Sequence, residues 1–224
     1  MVGPSGCGKS TLLNLIAGID RPSSGELLFD GHQIKRAAAE RVVVFQEAAL
    51  YPWLNVRANV EFGLKIKGTP KKERKQIVDR YLELVNLTRF EKAFVHELSG
   101  GMKQRVQLAR ALAVEPRMLL MDEPFAALDA QTRDLLQLEL QEIWQRTGAT
   151  IFFITHNVRE AALLADRVFV MTPSPGRMKA EIPVPLLRPR NLDTHAVVDF
   201  AAEIRAALQH EDYTARTPGA RFEI

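Results

Sequence analysis

The fold of this chain is decided by a stretch close to its start, Gly3-Pro4-Ser5-Gly6-Cys7-Gly8-Lys9-Ser10-Thr11. The stretch satisfies G-x-x-x-x-G-K-[ST], a pattern in which glycines let backbone N–H groups turn inward around phosphates. In this pattern Lys9 reaches the β and γ oxygens, and the Ser10 hydroxyl faces Mg²⁺. The residues from Leu12 to Gly18 are typical of a helix whose positive N-terminal end completes the anion site. Every residue of the stretch is therefore a candidate nucleotide contact; the alternative is a glycine turn before an ordinary helix.

Composition and charge narrow the class of protein. The chain has 224 residues, of which 46% are hydrophobic and 25% charged, as in a soluble globular domain with an appendage. A net charge of +3 is too small to imply nucleic acid by itself, although a pI near 9.1 would suit an anionic membrane surface. The single cysteine, Cys7, excludes an internal disulfide and fits a reducing cytosol. Since no apolar run is long enough to cross a bilayer and nothing resembles a signal peptide, we expect a cytosolic protein whose membrane association comes from a partner.

Strands and helices alternate along most of the chain, which predicts an α/β fold with a parallel sheet bound at its strand ends. The pattern indicates strands at 26–30, 42–45, 118–121, 150–155 and 167–172. It indicates helices at 56–86 (with a break at 68–70), 131–146, 157–164 and 193–208. Residues 173–190 are predicted to be a proline-rich loop, and residues 211–224 a loose tail.

Two adjacent carboxylates, Asp122 and Glu123, follow the apolar strand at 118–121. A phosphate loop requires such a second element, in which Asp122 holds Mg²⁺ and Glu123 polarises a water aimed at the γ-phosphate. Adjacent acidic residues are common in loops, so this pair indicates a nucleotide site only because it follows a phosphate loop.

The stretch Leu98-Ser99-Gly100-Gly101-Met102-Lys103-Gln104-Arg105 is the most diagnostic one. Ser99, Gly100 and Gly101 precede a helix and predict a second helix-N-terminal anion site; the alternative is an N-cap with two flexible glycines. The stretch is similar to the signature sequence of ATP-binding-cassette (ABC) transporters. The chain therefore resembles the nucleotide-binding subunit of that family, a P-loop ATPase domain with a parallel core sheet and a helical subdomain.

This resemblance implies roles for three more residues. Gln46 matches the glutamine that contacts Mg²⁺ or the attacking water, and His156 matches the histidine that senses the γ-phosphate. Asp129, in Ala127-Leu128-Asp129, matches a residue near the dimer seam and joins the nucleotide contacts. The implied catalytic residues are Lys9, Gln46, Glu123 and His156. The implied Mg²⁺ ligands are Ser10, Gln46 and Asp122.

The resemblance also implies partners. Ser99 and Gly101 would contact ATP held by a second copy of the chain, so that two ATP molecules are sandwiched head-to-tail. The permease would be separate transmembrane subunits, served indirectly by a solute-binding protein, and the chain would lie peripherally on the cytoplasmic side of the inner membrane. We expect no nucleic-acid partner.

Three segments resemble importers of the nitrate/sulfonate/taurine group: residues 51–56, 59–64 and 174–177. In such importers the segment after Gln46 cradles a permease helix, which would explain an exposed Trp53; the alternative is that Trp53 folds back onto its own domain. The transported solute would be a small anion.

Family members carry strands before the phosphate loop, including an aromatic residue that stacks on adenine, whereas only Met1 and Val2 stand there here. We expect these strands to be missing and the neighbouring strands to have unpaired edges. A start site placed too far downstream, a fragment and a truncated gene are the possible reasons.

We expect one ABC domain over 1–224, with a helical subdomain at about 56–115 and a C-terminal helix and tail at about 191–224. The competing functions are a soluble cassette ATPase not tied to transport and a non-hydrolytic fragment.

Overall fold

The computed structural model describes residues 1–209, which form two compact units. The first unit contains residues 1–38 together with the described residues from Phe152 onward, and the second contains Ala39–Ile151. The tail predicted at 211–224 lies outside the described residues.

Helices and strands alternate along much of the described chain, as the sequence predicts. The helices are α1 (Lys9–Ala17), α2 (Val56–Ile66), α3 (Lys71–Leu84), α4 (Gly100–Ala113), α5 (Ala130–Thr147), α6 (Val158–Leu164) and α7 (His195–Gln209), with short 3₁₀ turns at Thr88–Phe90 and Val95–Glu97. The strands are β1 (Leu28–Phe29), β2 (His32–Gln33), β3 (Arg41–Val44), β4 (Met118–Asp122), β5 (Thr150–Ile154), β6 (Arg167–Met171) and β7 (Met178–Pro183).

In the second unit, β3 and β4 pair in parallel, with Arg41 opposite Met118 and Val44 opposite Met121. The side chains from Met118 to Met121 are all buried, which explains why these four positions of β4 are all apolar rather than every second one. The helices α2, α3 and α4 pack on one another in the same unit. They coincide with the predicted helical subdomain at about 56–115, whose status as a separate subdomain stays a prediction.

In the first unit, Met1 and Val2 take the place of a strand. The N–H of Val2 donates to Phe169 O over 2.8 Å, and Met171 N donates to Val2 O over 2.9 Å, in a parallel bridge to β6. On the other side, Thr155 N donates to Met1 O over 3.1 Å. The prediction that the neighbouring strands have unpaired edges is therefore wrong at these positions.

The prediction of a loop over residues 173–190 is also wrong in its central part, because β7 lies there. β7 pairs antiparallel with β6, from Arg167 opposite Pro183 to Met171 opposite Met178. Its inward side chains, Ala180 and Ile182, join a core that also contains α6 and α7. Pro173 and Pro175 precede β7 and Pro183 ends it, so the composition of this segment indicates a loop although a strand of six residues lies in it.

Within residues 1–209, no helix combines the length and the apolar character that crossing a membrane requires.

Candidate nucleotide-binding site

The predicted site residues divide between the two units. The first unit contains the loop Gly3–Thr11 and His156. The second unit contains the remaining ones: Gln46, Ser99, Gly100, Gly101, Asp122, Glu123 and Asp129.

The loop Gly3–Thr11 leads directly into α1, as predicted. Gly6 has φ 75° and Gly8, the N-cap of α1, has φ 98°, a left-handed conformation that glycine adopts without strain. A Cβ built at either glycine would meet nothing within 4 Å, so conformation rather than space requires glycine there. Because Gly8 has no side chain to cap α1, the first N–H groups of the helix are available to an anion. The hydroxyl-bearing residues Ser10 and Thr11 are exposed in that first turn.

The ammonium of Lys9 lies across this loop. Its Nζ donates to Gly3 O and to Pro4 O, each over 2.9 Å, and lies 3.8 Å from Cys7 Sγ. The side chain is buried, with 7% exposed. Two carbonyls of the loop thus fix the position of this cation.

The turn between β6 and β7 packs against the same loop. A Cβ at Gly176 would lie 1.9 Å from Cys7 O, and a Cβ at Gly3 would lie 3.0 Å from Cys7 Sγ and from Met171 Cβ. Gly176 falls in the segment 174–177, and the sequence indicates no role for it by itself, because a contact across so long a span of chain leaves no local signal.

His156 is exposed in the turn that joins β5 to α6. The residues beside it hold the backbone of this turn: Asn157 N donates to Thr155 Oγ1 over 2.9 Å, and Asn157 Oδ1 accepts from Arg159 N over 3.0 Å. The turn therefore presents the imidazole at the end of a strand, where the sequence predicts it.

In the second unit, Asp122 is the last residue of β4, Glu123 follows it, and Gln46 lies just beyond the end of β3, the strand paired in parallel with β4. Since Val44 is opposite Met121, the residues after them emerge at one edge of the sheet, where open α/β sheets bind ligands. Glu123 has φ 45°, a strained conformation for a residue with a side chain, and such strain concentrates at functional sites.

Two glutamines of α4 hold the backbone next to Gln46. Gln104 Nε2 donates to Gln46 O over 2.8 Å, and Gln107 Nε2 donates to Phe45 O over 3.2 Å. Both glutamines are buried. Sequence reasoning missed this link; its one signal is a pair of amides on a helix face that is otherwise apolar.

The start of α4 has a capped and closely packed geometry. Ser99 Oγ accepts from Met102 N over 3.3 Å, which confirms Ser99 as the N-cap. Gly101 is buried, and a Cβ there would lie 2.5 Å from Thr132 Cγ2, so this glycine allows α4 to approach α5. Ser99 and Gly100 are exposed. The N-cap alternative therefore accounts for Ser99, but Gly101 is a packing residue and not a flexible one.

Asp129 caps α5, and the start of α5 adjoins the start of α4 through the contact between Thr132 and Gly101. Its Oδ1 accepts from Thr132 N over 3.0 Å, and this hydrogen bond lowers the pKa of the exposed Asp129 carboxyl. The structure thus brings Ser99, Gly101 and Asp129 together around two neighbouring helix N-termini.

The segment 51–55 is a rigid turn that presents Trp53, whose side chain is 70% exposed. Asn59 anchors the turn: its Oδ1 accepts from Tyr51 N over 2.9 Å, and its Nδ2 lies 3.1–3.2 Å from the oxygens of Tyr51, Leu54 and Asn55. The Trp53 ring lies 5.5 Å, centroid to centroid, from that of Tyr51 in the same turn, and its exposure argues against its folding back onto the rest of the domain; the contact role stays a prediction.

Comparison with known proteins identifies the family. Residues 1–126 match the family described as ABC transporter. The taurine import ATP-binding protein TauB of Roseobacter denitrificans is 52% identical over 216 residues, 96% of this chain and 77% of that protein. The nitrate import ATP-binding protein NrtD of Synechocystis sp. is 51% identical over 185 residues, 83% of this chain and 70% of that protein.

Among solved structures, a dimeric ATP-binding cassette in a post-hydrolysis state with ADP and Pi has a TM-score of 0.69. It is 31% identical, and the match covers 83% of this chain and 84% of that one. The chain belongs to the ABC transporter family, and it has the fold of that family's ATP-hydrolysing subunits. Its enzymatic activity is that of an ATPase.

Proposed function

We propose that this chain hydrolyses MgATP to drive an importer of small anions, and that it does so as a dimer of ATP-binding subunits. The observation that carries the proposal is the phosphate-binding geometry of the loop Gly3–Thr11, with left-handed glycines at 6 and 8 and Lys9 fixed across it. All residue roles below are parts of this proposal.

Phosphate binding comes from the loop and from α1. Backbone N–H groups between Gly6 and Thr11 donate to phosphate oxygens, and the dipole of α1 favours their negative charge. Lys9 then shifts from the carbonyls of Gly3 and Pro4 towards the γ-phosphate. Because the cation is already buried in the loop, little side-chain entropy remains to be lost on binding.

Hydrolysis needs a polarised water and stabilisation of the charge that develops on the γ-phosphoryl group. Glu123 accepts a proton from the attacking water, Gln46 orients that water, and His156 donates to the γ-phosphate. Lys9 remains paired with the departing charge. This chemistry is positioning plus electrostatics, which suits residues held by strand ends and turns rather than by long loops.

The residues proposed for Mg²⁺ suit a hard cation. A hydroxyl from Ser10, an amide oxygen from Gln46 and a carboxylate from Asp122 are all oxygen donors, as Mg²⁺ prefers. Among the described residues there is no cluster of three His, Cys, Asp or Glu side chains that could hold a metal without substrate. Held by these residues together with the nucleotide, the ion would supply positive charge against the phosphates.

The second helix-N-terminal site at Ser99, Gly100 and Gly101 is proposed to serve a partner copy. Ser99 and Gly100 are exposed at the start of α4, where a ligand on another subunit can reach them. Asp129 lies beside them at the seam. ATP would complete the interface, and its hydrolysis would open it.

The rigid turn at 51–55 is proposed to receive a cytosolic helix of a separate permease. Trp53 supplies an exposed aromatic side chain, and the hydrogen bonds of Asn59 keep the turn in one conformation before docking. The names of the relatives point to taurine and nitrate, so the solute class we propose is a small sulfonate or nitrate-like anion. The subunit would then act on the cytoplasmic face of the membrane, next to its permease.

Turnover of the purified chain with MgATP tests the enzymatic part. Glu123→Gln should lower kcat by roughly 10²–10⁴-fold, because a general base is lost, while ATP binding is retained. The matched control is Glu142→Gln, which neutralises an exposed carboxylate of α5 in the same unit. Equal turnover for the Glu123→Gln and native chains would refute the proposed role of Glu123, and no turnover above background in either would favour a non-hydrolytic fragment.

Two further measurements test the dimer and the solute. ATP should hold Glu123→Gln as a dimer in sedimentation experiments, because hydrolysis no longer opens the interface. In cells that lack their own subunit, the native chain and not Glu123→Gln should restore uptake of labelled taurine or nitrate. Restored uptake of neither anion would remove the solute class from the proposal.

A further inference from the structure

The turn between β6 and β7 is closed by one threonine. Thr172 N donates to Arg177 O over 2.9 Å, and Thr172 Oγ1 accepts from Arg177 N over 2.9 Å. The same hydroxyl donates to Pro175 O over 3.4 Å. These bonds fix the turn internally, so whatever it contacts meets a defined surface.

Gly176 is the part of this turn that contacts the phosphate loop. A Cβ at this position would lie 1.9 Å from Cys7 O, 3.0 Å from Cys7 C and 2.9 Å from Met171 Cε. Gly176 is not among the residues with positive φ, so its backbone conformation is open to any amino acid. Glycine is therefore required here by the close approach to Cys7 and not by the turn itself.

The contact falls on one particular peptide group. The carbonyl of Cys7 and the N–H of Gly8 belong to the same planar trans peptide, in which the two groups point in opposite directions. Gly176 lies beside the carbonyl oxygen, so the Gly8 N–H points to the other side. A Cβ at Gly8 would meet nothing within 4 Å, which shows open space around that residue.

Local chain preferences do not fix the direction of this peptide. Gly6 and Gly8 are the direct chain neighbours of Cys7, and glycine is the residue with the widest choice of backbone conformation. If the peptide turned over, the Cys7 carbonyl would replace the Gly8 N–H and would face a phosphate with an oxygen. A contact that falls on the Cys7 carbonyl can therefore select the orientation.

We propose that Gly176 is a positioning residue for ATP binding: its close packing on the Cys7 carbonyl directs the Gly8 N–H towards the phosphates. This inference rests on the proposed role of Gly3–Thr11 as the phosphate-binding loop. A side chain at position 176 would clash with the Cys7 oxygen. Either the Cys7–Gly8 peptide would then rotate, or the turn between β6 and β7 would move away from the loop.

The test compares steady-state ATPase kinetics of Gly176→Ala with those of the native chain. We expect KM for ATP to rise at least about tenfold, the size of one hydrogen bond to a charged group, with kcat changed less than about threefold at saturating ATP, because the Glu123 water site is not touched. Direct titration with ATP in the Glu123→Gln background should show the same rise in Kd.

A matched control separates positioning from general destabilisation. Gly148→Ala changes an exposed glycine with φ 64° at the end of α5, where a Cβ meets nothing within 4 Å. It costs backbone strain and creates no new contact, so its KM should remain native. If Gly176→Ala does not fold, Thr172→Val provides the second test, because it removes the hydroxyl that closes the turn and adds no atom beside Cys7; its KM should also rise.

Lys9→Ala, run in parallel, distinguishes the two proposals. If Lys9→Ala binds ATP like the native chain, the phosphate-loop assignment itself has failed. If Lys9→Ala loses ATP binding while Gly176→Ala and Thr172→Val keep a native KM, the loop assignment stands and the positioning role of Gly176 is overturned.

Discussion

Replacing Asn59 by leucine should uncouple the Trp53 turn from the rest of its unit. The side chain of Asn59, in α2, is fully buried. Its amide forms hydrogen bonds with backbone groups of Tyr51, Leu54 and Asn55, and so attaches the turn at 51–55 to the helix. Leucine has the same branching and number of heavy atoms as asparagine, with two bulkier methyl groups in place of the amide oxygen and nitrogen. The substitution therefore removes hydrogen bonds and leaves little cavity.

The magnitude follows from the hydrogen bonds that Asn59 makes. Its Oδ1 accepts one from Tyr51 N, and its Nδ2 faces three carbonyl oxygens with only two hydrogens to give. That amounts to three full bonds, each worth about 1 kcal/mol net. Asn59→Leu should accordingly lower the free energy of unfolding by about 3 kcal/mol.

Urea unfolding measures this loss, with tryptophan fluorescence as the probe. The chain has two tryptophans, so a Trp144→Phe background leaves Trp53 as the only reporter, and it lies on the turn itself. Gln145→Leu is the matched control: it makes the same change of amide to leucine at an exposed position of α5, and should stay within about 0.5 kcal/mol. A loss below about 1 kcal/mol for Asn59→Leu, with an unchanged native Trp53 spectrum, would refute the reasoning.

Gly101→Ala should lower thermal stability and ATPase activity together, because its Cβ would lie 2.5 Å from Thr132 Cγ2. Adding Thr132→Ser removes that methyl group and should restore the melting temperature; failure of the double variant to recover would show that packing on α5 is not what requires the glycine. Asp129→Ala should cost stability at neutral pH, since the hydrogen bond from Thr132 N lowers the pKa of the Asp129 carboxyl below 3.8 in the folded state. A carboxyl with a depressed folded pKa contributes stability above its unfolded pKa and loses it as the pH falls through the folded value. The difference in unfolding free energy between native and Asp129→Ala chains should therefore shrink below about pH 3.8, and a difference that stays constant into acid would contradict the capping role.

The sequence predicted those parts of the structure that depend on local pattern. The glycine loop before α1, the start of α4 after Ser99 and the buried strand that ends at the acidic pair each depend on fewer than ten consecutive residues, and each is present where expected. Glycine conformation, capping chemistry and apolar runs act over such short distances.

Contacts between distant segments could not be predicted in the same way. β7 was missed because prolines flank it and because its stability comes from pairing with β6. The approach of Gly176 to Cys7 joins residues far apart in the chain, and the bonds from Gln104 and Gln107 to the segment after β3 span about sixty positions. None of these has a periodicity or a motif, so only the folded chain reveals them.

The bonds from Gln104 and Gln107 allow the side chain of Gln46 and its backbone to be tested by separate substitutions. They end on the backbone oxygens of Gln46 and Phe45, so they do not depend on which side chains those two positions carry. Replacing the Gln46 side chain should leave its backbone in place, whereas Gln104→Leu should release the backbone and keep the Gln46 amide. The two kinds of variant thus separate the chemistry of Gln46 from its attachment to α4, which a single alanine substitution at position 46 cannot do.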